Sequence, residues 1–390
     1  MNNLVKSLFI LVLIPLISGC CAVAPKPIPG AERIGLYLPM LKDRSVAVVA
    51  NQTSMVGKVH LVDRLKSQGI NIRLIFAPEH GFREMADAGQ QIMDGKDQAT
   101  GIPVKSLYGD HLKPTLADLT GIDVVVFDIQ DVGVRFYTYI STLHNVLEAC
   151  AENKIPCIIL DRPNPNGFYF DGNIADTSCR SFVGIDPVPV VYGLTTGEYA
   201  GMANGEGWLR NGIKCDLTVI KCKNYTHATP YELPVRPSPN LPDQTSVYLY
   251  PSLCFFEGTN ISVGRGTPFP FQVYGSPSLP DTGFSFTPVS TQGAKNPPYE
   301  GIKCFGKDLR DAIKNRLVPV PHLNLEWLIE AYREYPEKGK FFNSYFDVLA
   351  SGPALRDQIQ KGMTADEIRA TWREGLEKFK RLREKYLLYK

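Results

Sequence analysis

Long apolar runs are missing from this chain of 390 residues. The one near the start, Ser7 to Ile17, falls well short of the about 20 residues that a membrane-spanning helix needs. An excess of one charge is missing too: 42 Lys and Arg stand against 40 Asp and Glu, a formal net charge of +2 without basic blocks, which argues against nucleic acid as a partner. Nucleotide-binding glycine loops are absent. No GxGxxG follows a strand-like run, no P-loop motif occurs, and Val49-Ala50-Asn51-Gln52 offers no glycine turn for a pyrophosphate. There is no GxSxG elbow for a serine hydrolase and no HExxH for a zinc hydrolase. The six histidines are scattered, with only His80 inside a motif, and the nine cysteines show no CxxC spacing, which argues against a zinc cluster. No internal repeat is visible. What remains is carboxylate chemistry.

The chain does carry four apolar runs that end in polar residues. Ile72-Arg73-Leu74-Ile75-Phe76 leads to Glu79 and His80, Val124-Val125-Val126-Phe127 to Asp128, Cys157-Ile158-Ile159-Leu160 to Asp161, and Val46-Ala47-Val48-Val49-Ala50 to Asn51. Between residues 31 and 242 such runs alternate with helical patterns, at about Val59 to Gln68, Ile140 to Asn153 and Thr196 to Arg210. This alternation predicts a parallel sheet with helices on both faces. The carboxyl ends of its strands would then share an edge, where open α/β sheets bind ligands. From about residue 243 Pro and Gly become frequent, and the last 65 or so residues read as charged amphipathic helices around Trp327 and Trp372.

The N-terminus reads as an export signal. Ser7 to Ile17 is a short apolar core, and Ile17-Ser18-Gly19-Cys20 resembles a bacterial lipoprotein cleavage site. A mature chain beginning at lipidated Cys20 is expected, with residues 20–30, rich in proline, as an extended tether. The remaining cysteines, Cys21 aside, lie mostly in apolar runs, where they act best as small buried hydrophobes.

Five blocks carry a family resemblance: FAPEHGFR at 76–83, FDIQDVGVRFYTYISTL at 127–143, DRPNPNG at 161–167, RPSPNLP at 236–242 and FFEGTNISVGRGTPFPFQVYGSP at 255–277. Together they resemble the NamZ-type exo-N-acetylmuramidases, bacterial glycoside hydrolases that remove N-acetylmuramic acid from the non-reducing ends of peptidoglycan fragments. The likeness covers nearly all of the chain after its leader. It implies an α/β fold with a Rossmann-like domain at 31–242 and a smaller α+β domain at 243–390, the active cleft lying between them. Its partners would be saccharides carrying N-acetylmuramic acid, and the bilayer through the N-terminal lipid, in the bacterial cell envelope facing the periplasm. Neither a cofactor nor a metal is called for.

Glycoside cleavage needs a proton for the leaving oxygen, and negative charge or a nucleophile for the developing oxocarbenium ion. Glu79 is the candidate general acid, because Phe76, Pro78 and Phe82 would desolvate it and favour its protonated form. The residues alone also allow it to cap a loop or to pair with Arg83. His80 could orient Glu79, bind a hydroxyl or be structural. Asp128 and Asp131 are the candidates for the second acid; Asp128 at the strand end could point into the cleft, with pairing to Arg135 as its structural alternative, and Asp131 before Gly133 could instead build a turn. Asn51 and Asp161 could bind sugar groups, Asn240 and Asn260 could serve the acetamido group, and Tyr137 offers a face for stacking. Glu257 would enter from the second domain. The lactyl carboxylate of muramic acid calls for an arginine: Arg265, between two glycines, comes first, then Arg135 and Arg236. The residues leave open whether a second carboxylate or the substrate's own acetamido group completes the reaction.

Overall fold

The computed structural model describes residues 25–83, 87, 90, 94–313 and 321–390. The leader, Cys20 and most of the tether lie outside the described residues. Six parallel strands, β1 (Ser45–Ala50), β2 (Asn71–Ala77), β3 (Pro103–Ser106), β4 (Val124–Asp128), β5 (Cys157–Leu160) and β6 (Leu217–Ile220), lie in the spatial order β3-β2-β1-β4-β5-β6. This is the doubly wound Rossmann arrangement, with its switch point between β1 and β4. A two-residue antiparallel strand, Gly95–Lys96, extends the β3 edge.

Alternation along the strands divides the apolar residues between two layers. Val46 and Val48 of β1, Val124 and Val126 of β4, and Ile158 of β5 join helices α1 (Ile34–Leu41) and α2 (Leu61–Ser67) on one face. Ala47, Val49, Val125, Phe127 and Ile159 face helices α3 (Tyr139–Asn153) and α4 (Thr196–Gly205) on the other. The start of α4 is fixed by a reciprocal cap: Thr195 accepts from the Glu198 amide, and Glu198 accepts from the Thr195 amide. The helix expected from Val59 begins at Leu61, because Val59–His60 pairs with Met55–Val56 as a short ribbon. The end of the expected tether is extended, and it is docked on the domain: Ile28 bridges to Lys223, and the Gly30 amide donates to the Asp161 carbonyl.

The second unit is smaller. After α5 (Gln244–Leu253) comes an antiparallel sheet of β7 (Val273–Ser276), β8 (Ser285–Phe286) and β9 (Cys304–Asp308), with β9 in the middle. Helices α6 (Glu326–Glu334), α7 (Tyr345–Ala350), α8 (Ala354–Gln360) and α9 (Ala365–Glu384) follow. The length of the chain favours separate cores, yet the larger apolar cluster is continuous from Ala47 and Phe127 to Phe256, Phe341 and Phe379. The two units therefore share a core on the α3–α4 side of the sheet.

Candidate active site

Glu79 stands just past the end of β2, and two successive residues of left-handed backbone, His80 (φ 73°) and Gly81 (φ 91°), turn the chain there. That turn points the half-buried Glu79 and the buried His80 into a cavity of about 470 Å³. The Thr138 hydroxyl donates to Glu79 Oε2 at 2.9 Å. Tyr108, just beyond β3, also bonds the carboxylate; burial and then the Glu79 charge push its hydroxyl well above the usual phenol range, so it remains a donor. Arg83 is committed elsewhere. It holds Asp63 of α2 through both terminal nitrogens, at 2.9 and 2.6 Å, and Asp97 through Nε at 2.7 Å.

The floor of the cavity is a chain of rings that crosses from one unit to the other. Tyr139 meets Tyr137 edge-on at 4.7 Å, Tyr137 meets Tyr250 at 6.0 Å, and Tyr250 meets Phe271 at 4.9 Å. The chain ends at Arg265, whose guanidinium lies 5.1 Å from the Phe271 ring centre. Arg265 gives Nε to Glu257 at 2.6 Å, and its terminal nitrogens carry no hydrogen bond among the described residues. Gly264 and Gly266, both at φ 79°, set Arg265 in a tight loop. A Cβ on Gly266 would come within 2.5 Å of the Val289 carbonyl oxygen, so only glycine fits. Asn240 also borders the cavity, with its amide nitrogen fixed on the Gly293 carbonyl at 2.7 Å. The Tyr137 hydroxyl is likewise anchored, on the Pro237 carbonyl at 2.7 Å.

Several sequence candidates do not border this cavity. Asp128 is wholly buried and forms a two-pronged pair with Arg162, at 2.6 and 2.9 Å, rather than with Arg135. A carboxylate so committed is poorly suited to act on a sugar, which corrects its reading as the second acid. Asp161 is also buried. It accepts from Thr195, the Gly197 amide and Tyr389, which secures the start of α4 and the C-terminal tail, while burial pushes its carboxyl up to about 6. Asn51 lies one layer behind the cavity: its amide donates to Tyr139 at 2.9 Å and its side-chain oxygen accepts from Thr53. Arg135 gives its guanidinium to the carbonyls of Asn173, Val188 and Leu349, and burial pushes it down to about 9. Arg236 is exposed, and its carbonyl accepts from Gln52. Asp131 is a turn residue held by the Gly133 amide and Tyr192, its carboxyl pushed by burial up to about 7. Among the described residues no cluster of His, Cys, Asp or Glu is placed to hold a metal ion.

This arrangement has close counterparts. Family models for the N-terminal and C-terminal parts of the exo-beta-N-acetylmuramidase NamZ match residues 46–245 and 248–389. The chain belongs to the NamZ family. It is accordingly an enzyme of the glycosidase class. A curated relative, the peptidoglycan beta-N-acetylmuramidase NamZ of Bacillus subtilis, is 36% identical over 380 residues, covering 90% of this chain and 89% of that protein. Two crystal structures of DUF1343 family proteins from Bacteroides fragilis are similar as well. One is 46% identical with a TM-score of 0.87, covering 94% of this chain and 99% of its own; the other is 28% identical with a TM-score of 0.78, covering 94% and 100%.

Several lining residues of this NamZ-family cavity escape a reading of the sequence. Tyr108 follows β3, whose Pro103-Val104-Lys105-Ser106 is too short and polar to stand out as a strand. Ser181 has a buried hydroxyl without a partner among the described residues, yet it sits in a segment with no apolar pattern. Tyr345 arrives on α7, from a stretch that reads as plain amphipathic helix.

Proposed function

We propose that this glycosidase releases N-acetylmuramic acid from the non-reducing ends of peptidoglycan fragments, with Glu79 as the general acid. The observation that carries the reading is the shared cavity: Glu79, held by Thr138, and the Glu257–Arg265 pair border the same space. The terminal sugar lies over the tyrosine floor, Glu79 protonates the oxygen that leaves, and water completes the hydrolysis by adding its oxygen to the anomeric carbon and returning a proton to Glu79. Arg265, whose terminal nitrogens carry no hydrogen bond among the described residues, reads the lactyl carboxylate that distinguishes muramic acid from N-acetylglucosamine. Glu257 is held against that guanidinium, which suits it to positioning Arg265 better than to attacking carbon. The relative named as a peptidoglycan beta-N-acetylmuramidase supports the choice of substrate.

Mass-resolved product analysis tests this reading, on the chain from Ala22 with a disaccharide of muramic acid linked to N-acetylglucosamine. Free muramic acid is expected from the wild type and none from Glu79→Gln; absence of release by the wild type would sink the proposal. A working site in the envelope, held by lipid on Cys20, fits the leader sequence. Replacement of Cys20 by Ser should then move the protein from the membrane fraction to the soluble fraction, and an unchanged distribution would count against the anchor.

A further inference from the structure

Three cavities meet at the Glu257–Arg265 pair. Besides the catalytic one, the pair borders a space of about 460 Å³ beside Asn296 and Pro297, and another of about 420 Å³ beside Asn260, Tyr299 and Asn343. We propose that this last cavity is a second saccharide-binding site, which holds N-acetylhexosamine units of the glycan beyond the bond being cleaved. The proposal rests on the muramidase reading above and extends it to the length of the substrate.

Continuity is the first support. Asn343 borders the second site, while Tyr345 borders the catalytic cavity, and the Tyr345 amide donates to Asn343 Oδ1 at 2.9 Å. Tyr345 is 42% exposed and Val348, one turn on, 37%. Large apolar side chains left open at a cavity mouth offer a surface for a sugar ring. Tyr345 and Asn343 thus set the second site beside the exposed edge of the catalytic cavity, where a longer glycan would extend.

Chemistry is the second support. Sugar rings present apolar C–H faces and polar edges, and this site offers both kinds of surface: Ile261, Val263 and Pro298 beside the amides of Asn260 and Asn343. Asn260 gives Nδ2 to the Lys340 carbonyl at 2.7 Å, and its Oδ1 has no partner among the described residues. The Tyr299 hydroxyl donates to the Asn260 carbonyl at 2.9 Å, from a residue held at φ 61°. Such left-handed backbone in a bulky residue persists only where its surroundings fix it, so the site is formed before a ligand arrives. Its volume is close to that of the catalytic cavity, so it has similar room for a sugar unit. The neighbouring space beside Pro297 instead has Asp87, bound to the amides of Gly293 and Lys295, and offers no aromatic ring among the described residues.

Calorimetry on purified Glu79→Gln protein, which keeps the saccharides intact, decides the matter. A disaccharide and a tetrasaccharide of alternating muramic acid and N-acetylglucosamine, each with muramic acid at the non-reducing end, are titrated in turn. The tetrasaccharide is expected to bind about tenfold tighter, the worth of one good ring contact with its hydrogen bonds. Adding Asn343→Trp, an exposed position whose larger side chain would fill the site, should bring the ratio of the two affinities close to one. Equal affinities without that change would overturn the second site and leave the muramidase reading intact, as would a ratio that Asn343→Trp does not alter. Failure of both saccharides to bind would overturn both.

Discussion

Glu79 is held by hydroxyls, and Asp128 by a guanidinium. That contrast separates a carboxyl group that opens on the cavity from one wholly committed to a structural pair. Removing the Thr138 hydroxyl as Thr138→Val should lower kcat on the order of tenfold, because the Glu79 carboxyl loses one of the contacts that aim it at the substrate, with little change in melting temperature. Asp128→Asn should do the reverse. It leaves Arg162 buried with a weakened partner, a change that costs on the order of 3 kcal/mol of stability, while the folded fraction keeps its kcat. Thermal melts beside initial rates check both, and a large loss of kcat in folded Asp128→Asn would restore that residue as a candidate. At this scale the sequence was only partly legible. Glu79, Tyr137, Glu257 and Arg265 all border the cavity, and left-handed backbone at His80-Gly81 and at Gly264 and Gly266 marks the turns that carry two of them. Asp128, Asp161 and Asn51 have the same strand-end signature yet lie inside the protein. An acid at the end of a strand marks the edge of the sheet, but the sequence does not say whether the space above that strand is open or filled. Here the switch-point crevice between β1 and β4 is filled by Asn51, Thr53, Ser54 and Arg162 themselves.

Elements were easier to read than their ends. The parallel strands follow from apolar runs buried on both faces, and α3 begins one residue before its expected start at Ile140 and ends at Asn153 as expected. The loop around Arg265 is where an element and the site meet. Gly266→Ala would press a methyl group against the Val289 carbonyl and demand a strained backbone, so Arg265 would shift away from Glu257. The expected outcome is a raised KM for muramic acid substrates, on the order of tenfold or more given the geometry that charge-assisted pairs demand, with kcat less affected. Steady-state kinetics decide it, and an unchanged KM would remove Arg265 from substrate recognition. Gly258 makes a second close approach. A Cβ there would meet the backbone of Phe346 at 2.3 Å, so this glycine lets α7 lie directly on the turn that carries Glu257. The amphipathic pattern of the tail foretells helices, but not that one of them supplies Tyr345 to the cavity.

The whole molecule is joined by buried polar groups as well as by apolar area. Arg135 ties the first unit to the last carbonyls of α7 through Leu349, and Asp161 receives Tyr389 from the end of the chain. Burial raises two of the carboxyls within this frame, Asp131 to about 7 and Asp161 to about 6. A raised carboxyl favours the protonated form in the folded state, so its contribution is complete below its unfolded value of 3.8 and is lost as pH climbs through the folded value. The window for Asp131 therefore runs from about pH 4 to about pH 7. The lowered carboxyls Asp97 and Asp118, each bound to a cation, act in the opposite direction and lose their contribution as pH falls. Wild-type melting temperature against pH is thus a sum of opposing slopes, and a difference measurement isolates one of them. The gap in stability between wild type and Asp131→Asn should narrow as pH rises across that window, by on the order of a few kcal/mol at most, because the amide cannot ionise while the native carboxyl increasingly must. A gap that stays constant from pH 4 to pH 7 would mean that Asp131 ionises freely in the fold, and that the Tyr192 and Gly133 contacts fully offset its burial.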